Sequence, residues 1–397
     1  MPAPESPAEF RLIAAACRWP PGDDRDQAVR VAAHGVADWE AVLRGAARHR
    51  VEGHLHQALV AASVRAPEAV RKTLAARALG VARQNLANAA EEARLQQVFA
   101  GAGIAACFVK GATLGALAYG SQSIKTARDI DVLVPEPALD QVCEILSGLG
   151  YVRRSPSPEL APDAHRKYVS VFKESAWVHP VTGLVIEAHV GLARNPRLIP
   201  GVGLASPMQS VNLAPGVSAS TLEREALFAY LAVHGALHVW KRLKWLADVA
   251  ALVGREPCEA ERLHDAAVDL GAGRCPAAAL LLCHDALGLP LEADFLRRLR
   301  ADRGAVWLAA LGLRFLADNG RDPDFDNRPG ALIAIFISKF RLAPGWRYKV
   351  AEALDQLRTP PREEAVDWPV WARLAGRLAA LGPRWAAGFR RTSPSQA

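Results

Sequence analysis

The spacing of apolar residues divides the chain into three regions. From residue 66 to residue 100, apolar side chains recur at the three- and four-residue spacing of a helix, with proline only near the start. This pattern predicts one long helix that ends at Gly101-Ala-Gly103. Helical spacing also marks the rest of residues 1–103 and the segment 221–392. In that segment, glycine and proline clusters predict breaks at 254–257, 271–276, 288–290, 319–329 and 359–361.

The intervening segment has a different pattern. Short apolar runs rich in β-branched residues predict strands at 104–109, 129–134, 168–172, 184–190 and 210–213. Ser220 and Glu223 have the spacing of a capping box, which predicts that helices resume near residue 221. We therefore expect an α+β fold. A small mixed β-sheet core at 104–215 would lie between an N-terminal helical region at 1–103 and a C-terminal helical region at 216–397.

Composition narrows the class of protein. Of 397 residues, 51% are apolar, which is enough for a buried core, and no apolar run is long enough to predict a membrane span. The N-terminus lacks the pattern of a secretory signal, so we expect a cytoplasmic protein with reduced cysteines. The net charge of +7 lies near the range of nucleic-acid-binding proteins. The basic excess follows residue 328, where a solvated helical face explains it, so a nucleic-acid partner is not expected.

Two aspartates in a predicted strand carry the first chemical signal. Asp129 and Asp131 are two residues apart, so their side chains project from one face, separated by about 6.7 Å along the strand. Converging carboxylates repel each other, and a divalent cation removes that repulsion. Mg²⁺ prefers oxygen ligands and is held by one or two carboxylates together with substrate phosphates. The pair therefore predicts a Mg²⁺ or Mn²⁺ site, although both residues could instead cap an exposed strand.

A third carboxylate is expected because phosphoryl-type displacement commonly uses two metal ions. Glu187 lies within a predicted apolar strand, where an unpaired charge is unfavourable, and it is the main candidate. Glu174 is the reserve candidate. Glu187 could alternatively form an ion pair with Arg128 or Lys110.

Lys110-Gly111 lies where a predicted strand ends and a helix begins. The amides at a helix N-terminus bind phosphate, and glycine permits close approach of the backbone. A lysine can hold a phosphate oxygen as a point charge. We therefore expect Lys110 and the amides near Gly111 to bind phosphate.

At these positions the sequence resembles the uncharacterised nucleotidyltransferase family of the polymerase-β-like superfamily. The resemblance rests on Lys110-Gly111, Tyr119-Gly120, Arg128-Asp129-Ile130-Asp131 and Glu187-Ala188-His189. It continues in the segment 234–248, which is rich in His and Trp, and in the segment 360–369. Many members of the wider superfamily carry Gly-Ser where this chain has Lys-Gly, so Lys110 and Gly111 would take over phosphate binding.

The resemblance implies an enzyme that transfers a nucleotidyl group from a nucleoside triphosphate and releases pyrophosphate. The catalytic and metal-binding residues would be Asp129, Asp131 and Glu187. The nucleotide-binding residues would be Lys110, Gly111, Arg128, His189, Lys241 and Arg242. The acceptor hydroxyl or phosphate is unidentified, and a peptide, a sugar or another small molecule is compatible with the family.

Several alternatives remain open at this stage. The protein could be a catalytically silent nucleotide-binding scaffold, or an RNA-binding module that uses the basic tail. His234 and His238 share a helix face, but no neighbouring Cys or Glu completes a zinc motif. Trp240 and Trp245 could be core residues or stacking surfaces. Lys241, Arg242 and Lys244 could face the triphosphate, an acidic acceptor or solvent.

Overall fold

The computed structural model describes residues 6–254, 257–318 and 328–359. It has the predicted α+β fold, with helices on both sides of a small sheet region. The N-terminal helices are α1 (Ala8–Ala16), α2 (Asp23–His34), α3 (Trp39–His49), α4 (Glu52–Ala61) and α5 (Glu68–Gly101). Helix α5 confirms the long helix predicted for residues 66–100.

The middle region contains two sheets. Strands β1 (Cys107–Phe108), β2 (Ile130–Leu133), β3 (Val152–Ser155), β4 (Glu174–Val178) and β5 (Val185–His189) form a sheet in the order β1-β2-β5-β4-β3. Its β2–β5 pair is parallel and the other pairs are antiparallel. Strands β6 (Met208–Ala214) and β7 (Val217–Leu222) form an antiparallel hairpin. The helices of this region are α6 (Gly111–Tyr119), α7 (Leu139–Gly148) and α8 (Pro162–Phe172).

The described part of the C-terminal region is helical after β7, and its breaks at 254–257, 271–276 and 288–290 are confirmed. Its described helices are α9 (Arg224–Leu237), α10 (Leu243–Val253), α11 (Pro257–Asp269), α12 (Cys275–Leu287), α13 (Ala293–Ala301), α14 (Arg303–Ala317), α15 (Pro329–Lys339) and α16 (Trp346–Arg358). No described helix is both long enough and apolar enough to cross a membrane. The sequence feature at 360–369 lies outside the described residues.

Two local predictions are wrong. The predicted strand at 168–172 is the end of α8, where Tyr168 and Phe172 stack one helical turn apart with ring centroids 4.3 Å from each other. A short apolar run fits either a strand or a helix, and packing decided for the helix. The capping box also does not form, because Ser220 belongs to β7 and its backbone N–H donates to Gln96. Helix α9 begins at Arg224 after Glu223.

One hydrophobic core joins the two helical regions. Phe10 and Leu55 from the N-terminal helices belong to the same buried cluster as Leu231 and Leu282 from the C-terminal helices. A second cluster lies on the sheet and includes Phe99, Ile130, Val132 and Ile186. The sheet is therefore held between α5 and the helices that follow β7.

The turn between α9 and α10 has a strained backbone. Val239 and Trp240 both have positive φ angles, 47° and 53°, in a region that residues with side chains seldom adopt. Trp240 is 1% exposed, and its ring lies where a Cβ on Gly235 would be. The burial of this indole therefore holds the turn that leads to Lys244 and Trp245.

We expect Gly235→Ala to destabilise the protein by about 1–3 kcal/mol, because the added methyl group overlaps the Trp240 ring. Gly80→Ala is the matched control, since Gly80 is also helical and a Cβ there meets no atom within 4 Å. This control should stabilise the protein by about 0.5–1 kcal/mol. Urea denaturation of both variants measures the difference. Equal effects of the two substitutions would contradict the role given to Trp240.

Candidate active site

Strands β2 and β5 bring two carboxylates together. In their parallel pairing Asp131 lies beside Glu187 and Leu133 lies beside His189. Adjacent residues in register project from the same face of a sheet, so Asp131 and Glu187 meet although they are far apart in sequence. Asp131 is 2% exposed, whereas the side chain of Glu187 is 30% exposed.

The carboxylate of Asp131 forms an ion pair with Lys110 and a hydrogen bond with His189. Lys110 Nζ lies 2.6 Å from Asp131 Oδ1, and His189 Nε2 lies 3.2 Å from the same oxygen. Burial raises the pKa of Asp131, but the charge of Lys110 and the hydrogen bond from His189 outweigh burial and lower it. The second oxygen, Oδ2, is buried and has no hydrogen-bond partner among the described residues. Asp131 is therefore ionised and retains one free coordinating oxygen.

His189 is oriented by carboxylates on both sides of its ring. Nδ1 lies 3.4 Å from Glu174 Oε2, and Nε2 lies 3.8 Å from Glu187 Oε2. Burial lowers the pKa of His189, and its contacts with Asp131 and Glu174 more than compensate and raise it. A carboxylate on one ring nitrogen commonly fixes the orientation of a histidine whose other nitrogen binds a metal. Glu174 is thus placed to orient His189.

The arrangement fits a divalent cation. Asp131, Glu187 and His189 offer ligand atoms that all lie within 4.8 Å of one another. The unpartnered oxygen of Asp131 adds a donor that the protein leaves unsatisfied. Asp129 precedes β2, is partly exposed and does not belong to this group, although it lines the same cavity, and its predicted role as a metal ligand stays a prediction. An imidazole among the donors suits transition metals better than a set of oxygens alone.

Glu187 also differs from an ordinary surface carboxylate. Burial, together with the charges of Asp131 and Asp129, raises its pKa to about 7. Like charges held close together disfavour ionisation of one member. A bound cation would remove that repulsion.

Two amides at the helix N-terminus after Lys110 already have a hydrogen-bond partner within the protein. Glu92 on α5 accepts hydrogen bonds from the amides of Ala112, at 2.7 Å, and Thr113, at 3.2 Å. Gly111 has φ of 67°, and a Cβ at this position would overlap Glu92. The expectation that the amides near Gly111 bind phosphate stays a prediction, and Glu92 already accepts from two of these amides in the first turn of α6.

The site opens on a cavity of about 430 Å³. Six predicted site residues line it, namely Lys110, Gly111, Asp129, Asp131, Glu187 and His189. Arg128, Lys241 and Arg242 are not among the described residues that line it. Arg242 is instead 2% exposed and donates to the backbone oxygen of Arg48, so it fixes the turn before α10.

The aromatic and imidazole side chains of the segment 234–248 divide between core and cavity. Trp240 is buried in the core, whereas Trp245, His234 and His238 line the cavity. The rings of His238 and Trp245 are 5.0 Å apart, and those of His234 and His238 are 4.7 Å apart.

Sequence analysis gave no role to Glu92, Arg50, Lys125 or Asp248, of which all but Glu92 line the cavity. Lys244, which it placed at the triphosphate, an acidic acceptor or solvent, lines the cavity as well. The sequence does contain a pattern that marks Glu92 as an inward-facing residue of α5. Asn85, Asn88, Glu92, Leu95 and Phe99 recur at the spacing of one helix face, and all five are buried. Polar residues at core positions of a helix therefore marked internal hydrogen-bond partners.

Comparison with protein families agrees with this geometry. A family model described as uncharacterised nucleotidyltransferase matches residues 35–288. The chain belongs to this family. The match covers α3 to α12, and so includes Asp131, Glu187, His189 and Lys244. A search of curated proteins found no match for this nucleotidyltransferase-family chain.

Glu92 gives a test that is independent of activity. Burial raises its pKa from an ordinary value of 4.5 to about 8, against the opposing effect of the two amide hydrogen bonds. Between these values the folded protein retains a proton that the unfolded chain releases, so this group lowers stability as pH rises. We therefore compare the free energy of unfolding of Glu92→Gln with that of wild type at each pH. The difference, variant minus wild type, is expected to be more than about 1 kcal/mol higher at pH 8 than at pH 5. Denaturation at both pH values measures it, and a constant difference would contradict the assignment.

Proposed function

We propose that this protein is a metal-dependent nucleotidyltransferase that transfers a nucleotidyl group from a nucleoside triphosphate to an acceptor hydroxyl or phosphate and releases pyrophosphate. Membership of a nucleotidyltransferase family supports transfer of this kind. The observation that carries the proposal is the group of Asp131, Glu187 and His189 at the wall of a cavity large enough for a small ligand.

The ion that we propose is Mg²⁺ or Mn²⁺, held by Asp131, Glu187 and His189. Asp129 lines the same cavity and is the remaining carboxylate of the predicted set. When bound, such an ion stabilises negative charge on phosphate oxygens and lowers the pKa of an attacking hydroxyl.

The protein groups around the ligands prepare them for this role. Lys110 keeps Asp131 ionised, so the carboxylate needs no deprotonation before it can coordinate. Glu174 Oε2 lies 3.4 Å from His189 Nδ1, and Nε2, which donates to Asp131 Oδ1 in this state, would lose its proton to coordinate a cation. Lys110 Nζ also lies 5.9 Å from the centre of the Tyr230 ring, which limits the positions that its ammonium group can take.

The sharpest test of this function is Glu187→Gln. We expect at least a 100-fold loss of nucleotidyl transfer, equivalent to about 2.7 kcal/mol, because a metal ligand is lost. The melting temperature should stay level or rise, because the repulsion that raises the pKa of Glu187 is removed. Pyrophosphate release from each nucleoside triphosphate, with Mg²⁺ or Mn²⁺ and a cell extract as the acceptor source, measures the rate.

Asp131→Asn should lose transfer to a similar extent but should also lose stability, because Lys110 and His189 would lose their anionic partner. Glu136→Gln is the control, since Glu136 is exposed and lies beyond the end of β2. It should leave both rate and stability unchanged. Wild-type transfer that survives in Glu187→Gln would rule out the proposed ligand set.

Nucleotide binding should depend on the metal. Without a cation, Glu187 and Asp129 would repel a triphosphate, whereas a bound cation attracts it. Calorimetric titration with each nucleoside triphosphate in Mn²⁺, in Mg²⁺ and in EDTA is expected to give the weakest binding in EDTA. Equal affinity under all three conditions would contradict the metal site, and affinity without turnover would favour a nucleotide-binding scaffold.

A further inference from the structure

A second group of charged side chains lines the same cavity. Lys125, Lys244, Arg50 and Asp248 all contribute to its wall. Lys125 Nζ lies 3.1 Å from Asp248 Oδ2, and the hydroxyl of Tyr119 donates to the other oxygen, Oδ1, at 3.0 Å. Asp248 is thus fully engaged by these two partners. The group contains three cationic side chains and one carboxylate.

Lys244 is the exceptional member. It is 7% exposed and has no hydrogen-bond or ion-pair partner among the described residues, although it lines the cavity. Burial, followed by the charge of Lys125, lowers its pKa to about 7, while Asp129 and Asp248 oppose the shift. An ammonium group that is removed from water without a partner is unfavourable, and an anion in the cavity would offset that cost.

The loop that carries Lys125 is held in place before any ligand binds. Asn85 on α5 donates to the backbone oxygens of Gln122 and Lys125 and accepts from the amide of Ala127. Asn88 donates to the backbone oxygen of Ala127 at 3.2 Å. The segment between α6 and β2 is therefore fixed to the long helix, which lowers the entropic cost of using it as a binding surface.

The two phosphate-binding features expected from the sequence are already engaged. Glu92 occupies the amides at the start of α6, and Lys110 forms its ion pair with Asp131. The cavity wall offers a polyphosphate a further cation in Lys244, and Arg50 and the Asp248-paired Lys125 line the same cavity.

We propose that Lys244, together with Lys125 and Arg50, forms the subsite for the polyphosphate group of the nucleoside triphosphate. That the anion belongs to a nucleoside triphosphate rests on the proposed function. That an anion binds here rests on the buried Lys244 and its cationic neighbours. Arg50 follows α3 and Lys244 lies in α10, so both helical regions contribute to binding.

The test uses inorganic tripolyphosphate, titrated into the full-length protein by calorimetry with and without Mn²⁺. Lys244→Met is expected to weaken binding at least tenfold, because the unpartnered charge is removed. Its melting temperature should equal or exceed that of wild type. Lys244→Arg retains the charge and should keep most of the affinity. Lys72→Met is the surface control, since Lys72 is 77% exposed and pairs only with Glu68 one turn away.

Wild-type affinity of Lys244→Met for tripolyphosphate would overturn the assignment. Tighter Lys244-dependent binding of a phosphomonoester, with phosphoserine as the probe, would also overturn it and would assign the subsite to an acceptor phosphate. Should Lys244→Met fail to fold, Arg50→Met carries the same test. If the variants lose tripolyphosphate binding but the wild type transfers no nucleotide, the anion subsite is supported and the proposed function is rejected. If the wild type transfers nucleotide but the variants bind tripolyphosphate normally, the proposed function is supported and the subsite is rejected.

Discussion

The ion pair between Lys110 and Asp131 is the interaction around which the site is arranged. A carboxylate that is 2% exposed is stable only when nearby groups compensate its charge, and Lys110 and His189 do so at 2.6 and 3.2 Å. The parallel pairing of β2 with β5 then places Glu187 beside the same carboxylate. The pKa of Asp131 is lowered and that of Glu187 is raised, so the two carboxylates differ in how readily they ionise.

Helix α5 acts as the support of this arrangement. Its inward face carries Asn85, Asn88 and Glu92 among apolar residues. The two asparagines hold the loop before β2, and Glu92 holds the first turn of α6. Buried polar groups of this kind must be fully hydrogen-bonded, so they fix the positions of the backbone segments they contact. Lys110, Lys125 and Asp129 therefore stand on segments that a single helix aligns.

The cavity draws on all three regions of the chain. Arg50 comes from the N-terminal helices, Asp131 and Glu187 come from the sheet, and Lys244 and Trp245 come from α10. The strained turn at Val239 and Trp240 connects this last pair to the core, because the Trp240 ring fills the space that Gly235 leaves. The family match includes parts of all three regions, from α3 in the N-terminal helices to α12 in the C-terminal helices.

The sequence by itself determined the helical character of the chain before and after the sheets, three of the helix breaks, the α+β class and the convergence of Asp131 with a carboxylate on a neighbouring strand. These features depend on local periodicity, because side chains repeat every two residues in a strand and every 3.6 in a helix. Tertiary structure decided which partner each polar group meets. The spacing of residues along the chain does not show that the ligand atoms of Asp131 lie near His189 rather than Asp129. It also does not show that Glu92 lies where a side chain at position 111 would be. It also left residues 168–172 ambiguous between strand and helix. Those outcomes depend on contacts between segments distant in sequence, and only the packed chain brings such segments together.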